Sequence, residues 1–482
     1  LKEAGYLYTE VQNQWYSPSE KRFLPDRYVE GTCYICGFEH ARGDQCDNCG
    51  SLLEANELID PRSKNDGSTP ILKETEHFFL DLGKLEPGII EFLEAREEYM
   101  RANVRKQSLG SIRANPLHGR PITRDLDWGV PVPVEGWDGK ALYVWFEAVI
   151  GYLSAAIEWA SLTEDKEDWH NWWYNPDAKA YYFIGKDNIP FHAIMWPAQL
   201  KGAGTWFGKI FDETEDKNLT LPYDVPANEF MNMEDKKISG SANWGVWGLD
   251  FLSRYEPDAL RFYLTINMPE TRDSNWDWDE FVTRNNSSLI ANWGNLANRV
   301  LSFAHKHWEG IIPTPGELGP EEKEILAKVE KGFDQVGDLL DQVKLRAALK
   351  EALVVSSEVN KYLEDSAPWG KVKTDKEAAA TIIYTAMQCI DHLKIIFAPF
   401  VPFSSEKLHQ YLGYTDTLFG EQFTETLKDG LGEHTALRYR STETGGDWSP
   451  GTLEPGKAFQ KPSPLFTKYD PEIAESERER MK

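Results

Sequence analysis

The stretch Ala180-Tyr181-Tyr182-Phe183-Ile184-Gly185-Lys186-Asp187-Asn188-Ile189-Pro190-Phe191-His192 sets the fold class. Its first six residues read as a buried strand ending at a glycine, and a helix is expected to begin near Pro190, because proline suits the first helical turn. Strand, glycine, polar turn and helix together make one α/β unit. His192 and Trp196 are four apart, so on a helix starting at Pro190 they share one face. Just upstream, Ala141-Leu142-Tyr143-Val144-Trp145-Phe146 reads as a second buried strand. Short β-rich runs alternate with helical ones across 116–225, which predicts an α/β layer.

Downstream the texture changes near Phe281. Apolar residues recur at helical spacing over 281–308, 320–342, 343–365 and 374–397. The breaks fall at Pro313-Thr314-Pro315-Gly316, Ala367-Pro368 and Pro399-Phe400-Val401-Pro402. This is the pattern of a helical bundle. From about Gly430 the chain is rich in Gly, Pro, Thr and Glu and reads as an extended peptide.

Upstream, Cys33-Tyr34-Ile35-Cys36 and Cys46-Asp47-Asn48-Cys49 are two C-x-x-C pairs separated by nine residues. Each pair can offer two thiolates to one metal, and two pairs close a tetrahedral site of the structural zinc type. Gly37, Gly43 and Gly50 supply turn freedom. An iron–sulfur cluster is the alternative occupant. The fifth cysteine, Cys389, sits alone in an apolar helical stretch and reads as a small core residue.

At 482 residues the chain is long enough for several cores, and 13% aromatic with 41% hydrophobic residues can fill them. No apolar run is long enough to span a bilayer, so the cytoplasm is the expected location. The net charge of −26, from 52 basic and 78 acidic residues, taken alone argues against a nucleic-acid partner. A local basic or stacking surface can still bind RNA on an acidic protein.

Several motifs together carry a resemblance to the methionyl-tRNA synthetases of class I, and it runs to the end of the chain. Phe23-Leu24-Pro25-Asp26-Arg27-Tyr28-Val29, the cysteine knuckle, Gly43-Asp44-Gln45-Cys46 and His77-Phe78-Phe79-Leu80 resemble that family's connective peptide. Lys236-Lys237-Ile238-Ser239-Gly240-Ser241 resembles the family's Lys-Met-Ser-Lys-Ser loop, with Gly240 where the second lysine usually stands. Tyr255-Glu256-Pro257-Asp258-Ala259-Leu260-Arg261-Phe262-Tyr263 and Asp277-Trp278-Asp279-Glu280-Phe281 follow in the family's order.

The resemblance implies roles residue by residue. Trp145, Ala148 and Tyr152 line a methionine pocket, with Val149 where many members have proline. His192 and Trp196 close over the methionine side chain. Gly185 and Asp187 meet the adenosine of ATP, and Ile122-Thr123-Arg124-Asp125 brings Arg124 to the active site. Lys237, with Lys236 beside it, stabilises the pyrophosphate, and Ile238, Ser239 and Ser241 complete the nucleotide-binding loop. Asn295 and Arg299, four apart on one helix face, join Pro368 and Trp369 to read the CAU anticodon. Cys33, Cys36, Cys46 and Cys49 hold one structural zinc.

The expected fold class is therefore an α/β Rossmann-like class I synthetase catalytic domain with a zinc-knuckle connective peptide, followed by an all-α helical-bundle anticodon-binding domain. The expected segments are the connective peptide (1–115), the second half of the nucleotide fold (116–225) and the signature-loop and stem-contact region (226–280). The anticodon-binding bundle (281–430) and a C-terminal peptide (431–482) complete the chain. The expected function is ATP-dependent activation of methionine, with Mg2+, and its transfer to tRNA(Met), by a monomer. The family's His-x-Gly-His type motif is not found: Leu117-His118-Gly119-Arg120 lacks the second His. Leu1-Lys2-Glu3-Ala4-Gly5-Tyr6 reads as the last turn of a helix with a glycine stop. The first half of the nucleotide fold is accordingly expected to precede it, and the chain alone is expected to be inactive. The competing expectation is a non-catalytic, zinc-stabilised tRNA-binding protein, which the retained Trp145, Tyr152, His192 and Trp196 argue against. A synthetase for another apolar amino acid would carry a large editing insertion, and no segment is long enough for one.

Overall fold

The computed structural model describes residues 1–43, 46, 53, 55–126, 128–163, 165–211, 217–240, 243–429, 432–441 and 447–481. They fall into two compact units, Leu1–Ala227 and Asn228–Lys482.

The first unit is built on a long antiparallel ladder. Strand Leu7–Ser17 pairs with Ile71–Leu80 from Leu7↔Leu80 to Tyr16↔Ile71. Arg22–Phe23 and Arg120–Pro121 flank this pair to make four strands. Only the end of the second strand is apolar and buried, through Phe78, Phe79 and Leu80. That end seats the helices Leu82–Glu94 and Ala102–Ala114, whose Leu85, Ile89, Phe92, Val104 and Ile112 share one core with Leu80. Asp81 caps the first of these helices by accepting from the Lys84 amide at 3.2 Å. At the chain start, Gly5 has φ +78°, and the amides of Tyr6 and Gly5 reach Leu1 O and Lys2 O at 3.1 and 3.0 Å. These are the two bonds of a Schellman turn, as the glycine stop predicts.

Two expected strands differ. Ala141–Leu142 pairs with Thr123–Arg124, but Val144–Glu147 is a helical turn, followed by Ala148–Ile150 and the helix Gly151–Ser161. A short apolar run rich in Val and aromatics suits a buried strand and a buried helix equally, so periodicity does not separate them. Of 180–185, only Ile184–Gly185 is strand, and Tyr181 makes a single bridge to Asp224. The helix after Pro190 begins there as expected, but its first six residues, Pro190–Met195, are a π-helix that passes into the α-helix Trp196–Ala203. Single-turn π segments are frequent at functional sites.

The second unit opens with a three-stranded sheet, Lys236–Lys237 beside Met231–Met233 beside Ser274–Trp276. Phe251, Tyr263, Trp276, Trp278 and Phe281 pack one aromatic core behind it. Asp277 caps the helical run that follows, its carboxylate accepting from the Glu280 amide at 2.7 Å. That run is continuous from Trp278–Thr283 through a π segment, Arg284–Gly294, to Asn295–His307. The bundle continues with Pro320–Asp341, Leu345–Ser366, Pro368–Thr374, Lys376–Phe397 and Pro402–Tyr411. These boundaries lie close to those read from the sequence, because prolines and a capping Asp375 mark them locally. Cys389 is fully buried among Ile383, Ile390 and Leu393, as expected of a core residue. The C-terminal stretch departs from the extended reading: Glu472–Arg480 is a helix, and 421–440 carries a hairpin of Glu421–Asp429 with Gly432–Arg440. No helix among the described residues is long and apolar enough to cross a membrane.

Candidate functional site

In the first unit, aromatic rings converge on Tyr152. Its hydroxyl lies 2.8 Å from His192 Nε2, and its ring meets those of Tyr182, His192 and Trp196 at 4.9, 5.7 and 6.5 Å. His192 Nδ1 lies 3.1 Å from Asn188 O. A carbonyl only accepts, so Nδ1 carries the proton, Nε2 is an acceptor, and Tyr152 donates to it. Burial pushes the His192 imidazolium down, which keeps the ring neutral. Trp196 is 2% exposed and donates from Nε1 to Tyr182 Oη at 3.0 Å. Burial pushes the Tyr182 phenol up to about 12, so it stays protonated.

Trp145 was expected on a strand, with Ala148 and Tyr152 beside it in the pocket. Their positions i, i+3 and i+7 share a face because the backbone there is helical. Trp145 stacks on Phe191 at 5.4 Å, while Ala148 is exposed and makes no ring contact. Tyr182 and Phe191 lay within motifs the sequence singled out but were assigned no role. Nothing local marks them, since their contacts come from tertiary packing. A Cβ at Gly185 would lie 2.7 Å from Asp187 Oδ1, and the exposed Asp187 carboxylate has no hydrogen-bond partner among the described residues.

Arg124 sits over the Tyr143 ring at 4.1 Å and donates to Thr123 O and Pro121 O at 2.8 and 3.2 Å. Its described contacts do not bring it to the ring cluster. The next residue, Asp125, anchors the strand that presents it. Thr75 Oγ1 and Lys140 Nζ each donate to its carboxylate at 2.7 Å, and buried His77 Nε2 lies 3.2 Å away. Burial raises the Asp125 carboxyl, but the bonds from His77, Lys140 and Thr75 outweigh it and hold it at about 2, against an ordinary 3.8. A depressed folded value adds stability that is present above the unfolded pKa and fades as pH falls from about 4 toward 2. It contributes about 2 kcal/mol at pH 5, of which about 1 kcal/mol is lost by pH 3. Urea unfolding of the chain and of Asp125→Asn at the two pH values checks this. The gap between the two should narrow by that amount on acidification, and a constant gap would count against the network.

Of the proposed metal ligands, Cys33, Cys36 and Cys46 come together. Their three Sγ atoms lie within 4.8 Å of one another, with Cys36 and Cys46 3.6 Å apart. A tetrahedral zinc with Zn–S bonds of about 2.3 Å sets its sulfurs about 3.8 Å apart, so the donor set fits. Cys49 and Gly50 lie outside the described residues. Gly37 has φ +76° in the first turn. At Gly43 a Cβ would come within 2.6 Å of Asp26 O.

In the second unit, Lys236–Lys237 opens the signature loop after a turn with positive φ at Glu234 and Asp235. Lys236 Nζ lies over the Trp244 ring at 4.5 Å, whereas Lys237 and Ile238 are exposed. Ser239 and Trp244 exchange two backbone bonds of 2.9 Å, which folds the loop back on itself. Ser241 lies outside the described residues. At Gly240 a Cβ would meet only Trp247, at 3.9 Å, so a lysine would fit there.

Elsewhere in this unit Arg299 lies over the Trp369 ring at 5.1 Å, and Phe303 meets the same ring edge-on at 4.8 Å. Asn295, one turn before Arg299, is exposed and its amide has no partner among the described residues. Trp369 is held by a sharp helix junction: Ala367 has φ +45°, and buried Pro368 starts the next helix. An unpartnered amide, a guanidinium and an indole thus share one surface, the set that reads and stacks unpaired bases.

Comparison with known proteins adds the following. Residues 1–301 match the family model of class I (M) tRNA synthetases. Residues 312–438 match that of the anticodon-binding domain of methionyl-tRNA ligase. The methionine–tRNA ligase of Thermomicrobium roseum is 48% identical over the whole chain and 80% of its own length. That of Roseiflexus castenholzii is 49% identical with the same coverage. A crystal structure of Mycobacterium tuberculosis methionyl-tRNA synthetase bound by methionyl-adenylate superposes with a TM-score of 0.69. It covers 97% of this chain and 78% of that one at 22% identity, a likeness of fold.

Proposed function

Because the chain belongs to the methionyl-tRNA synthetases of class I, we propose that it binds and activates methionine and reads tRNA(Met). The reaction is that of a methionine–tRNA ligase: methionine and ATP give methionyl-adenylate and pyrophosphate, and the methionyl group passes to the terminal adenosine of tRNA. The ring cluster around Tyr152 carries this reading. A thioether is apolar and polarisable and packs well on aromatic faces. Tyr152, Trp196 and Trp145 offer such faces, neutral His192 adds no charge, and exposed Ala148 leaves room beside them.

The chain's share of the chemistry is positioning and charge stabilisation. Asp187, with a free carboxylate, accepts from the ribose hydroxyls, and Gly185 lets the backbone approach the nucleotide. Lys237, exposed on its loop, takes charge from the pyrophosphate, with Ile238, Ser239 and Ser241 binding the nucleotide; Lys236 is drawn toward Trp244. Arg124 supplies a cation beside the helix that bears Trp145. ATP brings Mg2+ as part of the substrate. Zinc in the cysteine knuckle is structural, because four thiolates leave no open position. Asn295, Arg299, Pro368 and Trp369 read the anticodon. A cytoplasmic monomer is the proposed state.

These 482 residues contain no His-x-Gly-His type motif, so by themselves they are expected to be inactive. Methionine-dependent ATP–pyrophosphate exchange on the purified chain, with zinc present, is the test. The expected result is no exchange, with binding of methionine and of a CAU anticodon stem-loop retained. Robust exchange would overturn the expected inactivity, and loss of both binding activities would overturn the site assignments.

A further inference from the structure

On a chain of net charge −26, one surface of the second unit is locally basic. Helix Asn295–His307 ends in Lys306 and His307, the short helix Pro368–Thr374 carries Lys373, and helix Lys376–Phe397 begins at Lys376. All three lysines are exposed, and among the described residues none is paired with a carboxylate. They converge on His307, whose imidazolium is pushed down by burial and then by Lys306, Lys376 and Lys373.

Aromatic rings join this surface to the anticodon-reading face. His307 lies 4.4 Å from Phe303, and Phe303 lies 4.8 Å from Trp369, over which Arg299 sits. On the other side, Trp308 lies 6.3 Å from His307 and has Lys376 Nζ 5.8 Å from its ring.

Cations in the last turn of a helix complement its dipole, which accounts for Lys306 and Lys373 on stability grounds. The same rule works against Lys376, a cation at the first position of a 22-residue helix. It also gives no reason for cations of three helices to face one another. Two adjacent acids are engaged elsewhere: Asp375 Oδ1 accepts from the Ala378 amide as a cap, and Glu377 turns toward Gly316. Like charges held together without a carboxylate in ion-pair contact among the described residues suit a ligand that brings its own negative charge. A surface continuous with a base-reading face suits the phosphates of the same RNA.

We propose that Lys306, Lys373 and Lys376, the last over the edge of the Trp308 ring, form a phosphate-binding rim that grips the RNA backbone flanking the anticodon. This rests on the reading of Asn295, Arg299 and Trp369 as the base-reading face. Phosphate contacts position an RNA without specifying its sequence. The rim therefore supplies affinity and salt dependence, and Trp369 with its neighbours supplies discrimination.

The test uses the whole 482-residue chain and two fluorescent hairpins that share one stem, with a CAU or a scrambled loop. Binding is titrated from 50 to 300 mM salt. Each phosphate contact adds about 0.7–0.9 to the slope of log affinity against log salt. The triple variant K306A/K373A/K376A should lower that slope by about 2 and weaken both hairpins about tenfold or more at 100 mM salt. Its preference for CAU should survive. Trp369→Ala should do the reverse, losing the preference while keeping the slope. The triple Lys→Arg variant should restore the slope, separating charge from any disturbance of the fold. An unchanged slope in the triple alanine variant, with the CAU preference intact, overturns the rim and leaves the anticodon reading standing. If the parent chain shows no CAU preference, the anticodon reading fails, and the slope alone then decides for or against the rim.

Discussion

Stripping the chain of metal with a strong chelator, or replacing Cys46 by Ser, is expected to unfold the knuckle between about Leu24 and Ser63 while the rest of the molecule stays folded. The apolar core of this region is small: Leu24, Val29, Cys33, Ala41, Cys46, Leu53 and Leu58. Two of those seven, Cys33 and Cys46, are proposed metal ligands, so what remains without metal is too small to order the turns on its own. Metal binding and folding are one event in such modules, and zinc contributes roughly 10 kcal/mol or more in isolated ones. Limited proteolysis should show new cuts within 24–63 after chelation, with release of one zinc per chain. The ladder of Leu7–Ser17 with Ile71–Leu80 should keep its protection, since its ten-residue register brackets the insertion from outside. An unchanged cleavage pattern on chelation would mean that the thiols are not a folding centre. A visible absorption band in the purified protein would point to an iron–sulfur cluster instead.

Trp196→Ala is expected to cost about 3–5 kcal/mol in stability and to weaken methionine binding about tenfold. The indole is 2% exposed, meets Trp173 edge-on at 6.0 Å and donates to Tyr182. Truncation leaves a cavity and removes the partner of a buried phenol. Trp196→Phe keeps most of the ring volume and loses the N–H, so it should recover most of the stability and of the affinity. Urea unfolding and equilibrium dialysis with labelled methionine separate the two effects. Equal methionine affinity in all three proteins would place the amino acid away from this ring.

Much of this molecule was legible one segment at a time. The long helices of the second unit begin and end within a few residues of where apolar spacing and proline breaks put them. Those signals act through the backbone of the same segment. The cysteine spacing announced the cluster of Cys33, Cys36 and Cys46 for the same reason, since a two-residue spacer closes its turn locally. The motifs around Tyr152, His192 and Trp196 also stood out in sequence.

Tertiary structure decided the rest. Whether Val144–Glu147 would be strand or helix depended on what it packed against, because a short apolar run satisfies either. The part played by Tyr182 arises from ring packing with Tyr152, thirty residues before it, and from the bond it accepts from Trp196, and no local pattern encodes it. The setting of Arg124 depends on a carboxylate tied to Thr75, fifty residues away. The basic rim exists only because three helices bring Lys306, Lys373 and Lys376 to one place, on a chain whose composition argued against RNA. Local signals determine where elements form, because capping, turn geometry and metal chelation act over a few residues. Which side chains meet is set by packing between distant segments, and that information is absent from any one of them.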